Sequence, residues 1–81
     1  MTTSAQEERA FRIYTAASIG QAIRHYRKQA GLTQAELAEQ VGVDRTYLSR
    51  LEQGHETEQL RRILAMLRQL GVKVVLERAD W

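Results

Sequence analysis

Eighty-one residues make one domain, near the lower size at which a chain folds alone and where a partner subunit often supplies missing burial. The absence of cysteine and proline excludes disulfides and thiolate metal sites, fits a reducing, cytoplasmic setting and suits a mostly helical chain. Twelve basic against ten acidic residues leave a net charge of +2, too little by itself to indicate nucleic acid, and no apolar run of about 18 residues is available to span a membrane.

The opening MTTSAQEERAFR lacks the apolar core of a secretory signal, and its first eight residues read as a loosely attached arm. The patch Phe11-Arg12-Ile13-Tyr14 follows, as a short strand or as a segment folded over the core. The first helix begins between Thr15 and Ser18, and Ser18 with Gln21 fits a capping box. Ile19, Ala22, Ile23 and Tyr26 recur at helical spacing and form its apolar stripe. Gly31 ends it. Arg24, Arg27 and Lys28 cluster without an intervening acid, which reads equally well as a solvated face.

The second helix has the clearest start signal, Thr33-x-x-Glu36, in which the hydroxyl and the carboxylate satisfy each other's orphan amides. Ala35, Leu37, Ala38 and Val41 are expected on its inner side, with Gly42 at the corner and Val43 buried beneath it. The third helix starts at Asp44, a cap that also complements the helix dipole. Leu48 and Leu51 face inward, leaving Arg45, Thr46, Ser49 and Arg50 outside and Tyr47 at the border. Helix, glycine-containing turn, helix is the helix-turn-helix arrangement. The fourth helix runs from about Thr57 to Leu70 on the stripe Leu60, Ile63, Leu64, Leu67 and Leu70. The period then changes to two: Val72, Val74 and Leu76 alternate with Lys73, Val75 and Glu77, the mark of a strand. A lone strand cannot satisfy its own backbone, so it pairs with the Phe11–Tyr14 segment, with its twin in a second copy, or with another protein.

A helix held in this way can enter the DNA major groove. Arg45 can read guanine through two parallel hydrogen bonds, and Arg50 can do so or clamp a phosphate. Thr46 suits a thymine methyl or a polar base edge, and Ser49 reaches a base only if the helix lies deep. Gln34, beside the amides that Thr33 opens, suits a phosphate. Tyr47 can donate to phosphate or pack on Leu51. Surface roles are expected for Arg24, Arg27, Arg61 and Arg62, and cap or surface roles for Glu36, Glu39 and Glu52. His25 and His55 lack paired ligands, so no metal is expected. No cofactor loop or catalytic triad is visible, and an enzyme is not expected.

LTQAELAEQVGVDRTYLSRLEQG resembles the Xre/Cro-like helix-turn-helix repressors in its T-Q-x-E-L-A start, its V-G-V corner and its L-S-R-L-E-x-G ending. The resemblance spans roughly residues 18–71. It implies a mainly α, compact four- to five-helix bundle that binds double-stranded DNA, with base contacts from Arg45, Thr46, Ser49 and Arg50 and phosphate contact from Gln34; Thr33 and Tyr47 complete the expected DNA-binding set from the reading of the residues themselves. The I-Y-T lead-in, the valine-rich final strand and the tail ending in Trp81 further resemble HipB-type antitoxins, which pair with a HipA-type kinase toxin and repress their own operon. That group implies a C-terminal strand pairing across a homodimer, here through Val72, Val74, Val75 and Leu76. Two recognition helices one turn apart, about 34 Å, would then read a palindromic operator, and Trp81 is either a frayed end or an anchor in a partner's pocket. The chain then divides into an arm (1–14), a DNA-binding domain (15–71), a dimerisation strand (72–77) and a tail (78–81). A stand-alone phage-type or metabolic Xre repressor and a protein-only interaction module are the alternatives.

Overall fold

The computed structural model describes residues 10–79. Strand β1 (Ala10–Ile13) is followed by helices α1 (Ala16–Gln29), α2 (Gln34–Val41), α3 (Arg45–Glu52) and α4 (Glu58–Gln69), and then by strand β2 (Val74–Glu77). The expected arm up to Glu8, and Trp81, lie outside the described residues.

Each helix begins where a side-chain oxygen meets an orphan amide. Thr15 caps α1 with Ser18 as its reciprocal partner, so the box lies one turn earlier than the Ser18–Gln21 pairing. At α2 the Thr33 amide donates to Glu36 Oε1 at 2.8 Å, and the Glu36 amide donates to Thr33 Oγ1 at 3.1 Å. Asp44 accepts from the Thr46 amide at 3.0 Å, and Thr57 Oγ1 from the Leu60 amide at 3.1 Å. Gly42 turns the corner between α2 and α3 at φ +84°, a left-handed backbone that costs glycine little.

The core joins both sheet strands to α1 and α4. Ile13, Ala16, Ala22 and Leu64 are buried at its centre, with Phe11, Ile19, Tyr26, Leu60, Leu67, Val74 and Leu76 packed around them. The Phe11 ring lies 5.0 Å from His25 and 5.9 Å from Tyr26, centroid to centroid. The Tyr26 hydroxyl donates to the Leu76 carbonyl at 3.2 Å. Strand β2 therefore belongs to the monomer: it pairs antiparallel with β1, Phe11 opposite Leu76 and Ile13 opposite Val74. Of the three partners open to this strand, its own N-terminal segment takes one edge. Val72 precedes β2 in the turn rather than opening it. Val74 and Leu76 face the core, while Val75 is exposed.

Several apolar positions lie outside the core. Val41 is 64% exposed and Val43 39%, and Ala35 is exposed as well. Helix α2 has only eight residues and packs mainly on α3 through its inner face, where Ala38 is buried. No described element roofs its C-terminal corner, so Val43 is not covered. On α4, Leu64 is buried, but Ile63 and Met66, and Leu70 just past its end, remain exposed. Helical period fixes which residues share a face; it does not supply a neighbour to cover that face.

Gly20 sets how closely α1 approaches α3. A Cβ there would lie 1.8 Å from the Leu51 carbonyl oxygen. Backbone against backbone leaves no flexible side chain to yield. Gly20→Ala is expected to cost roughly 3 kcal/mol, the upper end of overpacking, measured as a lowered denaturation midpoint; an unchanged midpoint would contradict this close approach.

Candidate nucleic-acid interface

Three elements meet at one carboxylate. Glu52, the last residue of α3, is 6% exposed. Arg27 from α1 grips it in a fork: Nε donates to Oε2 at 2.7 Å and a terminal nitrogen to Oε1 at 2.8 Å. Gln34, the first residue of α2, donates its amide to Oε1 at 3.0 Å. The second Arg27 terminal nitrogen donates to the Leu32 carbonyl at 2.8 Å, holding the α1–α2 turn. Hydrogen bonding from Arg27 keeps the Glu52 carboxyl below its ordinary range against the opposing cost of burial, and Gln34 adds to the effect. The same pairing raises Arg27. Both residues were expected at the surface, Arg27 solvated and Glu52 as a cap or surface group. They instead form a buried, bidentate pair, because residues 25 apart in sequence meet where α1 crosses α3.

This lock fixes how α2 and α3 present their outer surfaces. Arg45, Thr46, Tyr47 and Arg50 are exposed, and Ser49 is half-buried. Arg45 and Ser49 are four apart, as are Thr46 and Arg50, so each pair shares a face one turn deep. Arg45 also borders a broad concavity of about 590 Å³ shared with Lys28, Thr33, Gln34 and Ala35. The first amides of α2 open there, and such amides favour anions. Beyond the other end of α3, Tyr47 and Arg50 line a smaller hollow of about 240 Å³ with His55 and Thr57.

Of the residues expected to touch DNA, Thr33, Gln34 and Arg45 line the concavity and Tyr47 and Arg50 the smaller hollow, with altered roles for two. The Gln34 amide is already engaged with Glu52, so what Gln34 offers an anion is mainly its backbone amide. The Thr33 oxygen is occupied as a cap. Lys28 was not singled out by sequence reasoning. Its place among three cations in five residues was visible, but only the fold separates it from Arg27: Lys28 is exposed beside the α2 amides, and Arg27 is consumed. The charge balance also shifts. With Glu52 neutralised by Arg27, the outer surface of α3 carries Arg45 and Arg50 against the Asp44 cap alone. The surface suits a polyanion whose grooves admit a helix. Val72, Val74, Val75 and Leu76 lie elsewhere, at and before β2.

The family described as Helix-turn-helix domain matches residues 18–81. The uncharacterized HTH-type transcriptional regulator y4mF of Sinorhizobium fredii is 40% identical over 63 residues, 78% of this chain and 83% of that protein. The HTH-type transcriptional regulator SinR of Bacillus subtilis is 49% identical over 39 residues, 48% of this chain but 35% of SinR. An uncharacterized HTH-type transcriptional regulator of Methanothermobacter thermautotrophicus is 47% identical over 49 residues, 60% of this chain and 71% of that protein. No solved structure matches the chain significantly.

Because the Glu52 carboxyl sits below its ordinary range in the folded chain, its stabilisation is full above the unfolded carboxylate value of about 4.3 and is lost as pH falls through the depressed folded value. Glu52→Gln strands Arg27 in a buried site. It is expected to cost roughly 3 kcal/mol at neutral pH, as breaking a buried pair does, and to flatten the acid limb of a stability–pH profile from denaturant titrations. An acid limb as steep as that of the parent chain would remove Glu52 as its source.

Proposed function

The chain belongs to the Xre-like helix-turn-helix family of DNA-binding transcription regulators, and from that premise we propose that it is a homodimeric repressor that reads a palindromic operator through α3. The observation that carries this reading is the outer face of α3: Arg45, Thr46 and Arg50 stand exposed, beside a cationic concavity at the start of α2. In the major groove, Arg45 reaches a guanine edge, Thr46 a methyl or polar edge, and Arg50 a base or phosphate. Ser49 contributes only at a deep insertion. Lys28 and the α2 amides hold a backbone phosphate, which sets register without reading sequence. Two such surfaces, held about 34 Å apart, match successive turns of one duplex face.

A second copy has a natural seat on the free edge of β2. The outward residues of this stretch are Lys73, Val75 and Glu77, all exposed. An antiparallel two-fold through Val75 sets Lys73 opposite Glu77 of the twin, twice, with the two Val75 side chains in contact between them. Opposite charges across strands stabilise such a pairing. The exposed Ile63, Met66, Leu70 and Val72 add apolar surface on α4 and the turn that follows it. Of the four residues expected at the dimer interface, Val75 and Val72 then face the twin, while Val74 and Leu76 support β2 from the core.

The finer reading is an antitoxin that neutralises a HipA-type kinase toxin and represses its own operon. It is supported by the I-Y-T lead-in, the valine-rich strand and the Trp81 tail, the first two of which meet in one small sheet, Ile13 opposite Val74. Co-purification with a kinase encoded beside its gene tests this reading, and a gene neighbourhood without one would favour a stand-alone repressor.

Arg45→Ala should weaken operator binding by roughly 1–3 kcal/mol and relax preference at one base pair. Lys28→Ala should weaken all sequences alike and reduce the salt slope by about one. Both are read by fluorescence anisotropy across a salt series. Equal effects of the two changes on specificity would contradict the division between base and phosphate contacts. Separately, Val75→Arg is expected to shift sedimentation from dimer to monomer while leaving the helical spectrum unchanged; a persistent dimer would move the interface away from β2.

A further inference from the structure

A cleft of about 410 Å³ opens between the sheet and α4, away from α3. Its apolar lining includes Ile13, Leu64 and Leu67. Arg12, Arg68 and Lys73 stand on its rim, and no acidic residue lines it. None of these three cations has an ion pair among the described residues; Arg68 donates only to the Tyr14 carbonyl at the lip. An apolar hollow of this size with a cationic rim fits an aromatic side chain carried next to a carboxylate.

The sequence Arg78-Ala79-Asp80-Trp81 contains such a pair. Its own strand leads it the wrong way. The cleft borders Val72–Val74, and β2 then runs three residues, about 10 Å, before the tail begins. In a second copy paired antiparallel about Val75, the direction is reversed. There the residues after Glu77 pass Val72, Gly71 and Leu70 of the first copy, alongside the cleft. Leu70 is the most exposed of the described large hydrophobic residues, at 74%, and it lies on that path.

We propose that this cleft receives the Asp80–Trp81 segment of a second copy, the indole covering Leu67 and Val72 and the Asp80 carboxylate meeting Arg68 and Lys73. The two tails then clasp the dimer reciprocally, one on each side of the paired strands. This rests on the homodimer reading above and adds an occupant for a site that the reading leaves open.

Trp81 is the sole tryptophan of the chain, so its fluorescence reports the segment directly. The full chain is followed by emission wavelength and acrylamide quenching through a dilution series, with sedimentation at the same concentrations. The proposal expects blue-shifted emission and several-fold weaker quenching in the dimer, both lost on dilution to monomer and in Val75→Arg. Arg68→Glu combined with Lys73→Glu should expose Trp81 while the helical spectrum is retained, and adding Asp80→Lys should restore protection. Arg62→Glu, on an exposed stretch of α4, should change nothing. A dimer in which Trp81 is fully quenchable overturns the proposal and leaves the homodimer standing. Protection that persists in the monomer assigns the cleft to the chain's own tail and likewise overturns it. Absence of any dimer removes both. Protection that appears only with an added kinase partner places the anchor in that partner instead.

Discussion

Glu52 takes a carboxylate out of water, and it remains charged there because Arg27 and Gln34 hold it. A charge buried without partners costs several kcal/mol, and a forked guanidinium is the group best shaped to offset that. The consequence is geometric as much as energetic. Arg27 belongs to α1, Gln34 opens α2 and Glu52 closes α3, so one hydrogen-bonded knot ties all three helices. The angle at which α3 stands proud, and the place where the α2 amides open beside it, both follow from that knot. Gly20 permits the crossing of α1 and α3 on which it depends.

The reading surface is accordingly small but pre-organised. Short helices of eight residues are unstable in isolation; here reciprocal or single caps start them, and the buried pair locks their ends. The backbone entropy of presenting Arg45 and Thr46 is spent on folding, while their exposed side chains remain to be ordered by whatever they contact. With a net charge of only +2, affinity cannot rest on bulk attraction. In the proposed repressor it comes from fit, from a few well-placed cations such as Lys28, and from presenting the surface twice.

Most local signals in the sequence translated into structure. The Thr33–Glu36 box, the Asp44 cap and the Gly42 corner each involve atoms within a few residues of one another, so spacing locates them; at α1 two hydroxyls compete, and Thr15 with Ser18 forms the box in place of Ser18 with Gln21. The partners of Arg27 and of β2 lie 25 and about 60 residues away, and no periodicity reports such distances. Arg27 and Lys28 look alike in a string of letters and have opposite fates in the fold. The apolar stripes showed a similar limit. They placed Leu48 and Leu64 inside correctly, yet Val43, Ile63 and Leu70 carry the same signal and lie exposed. Whether a face is covered depends on what packs against it, within the chain or from another copy.

The proposed nucleic-acid surface is formed by α3 and the start of α2. Amide NMR shifts on adding a short duplex from the chain's own upstream region test that most directly. Changes concentrated at residues 28, 33–35 and 45–50, growing weaker as salt rises, are expected. Changes confined to α4 and β2, with α3 unmoved, would contradict it.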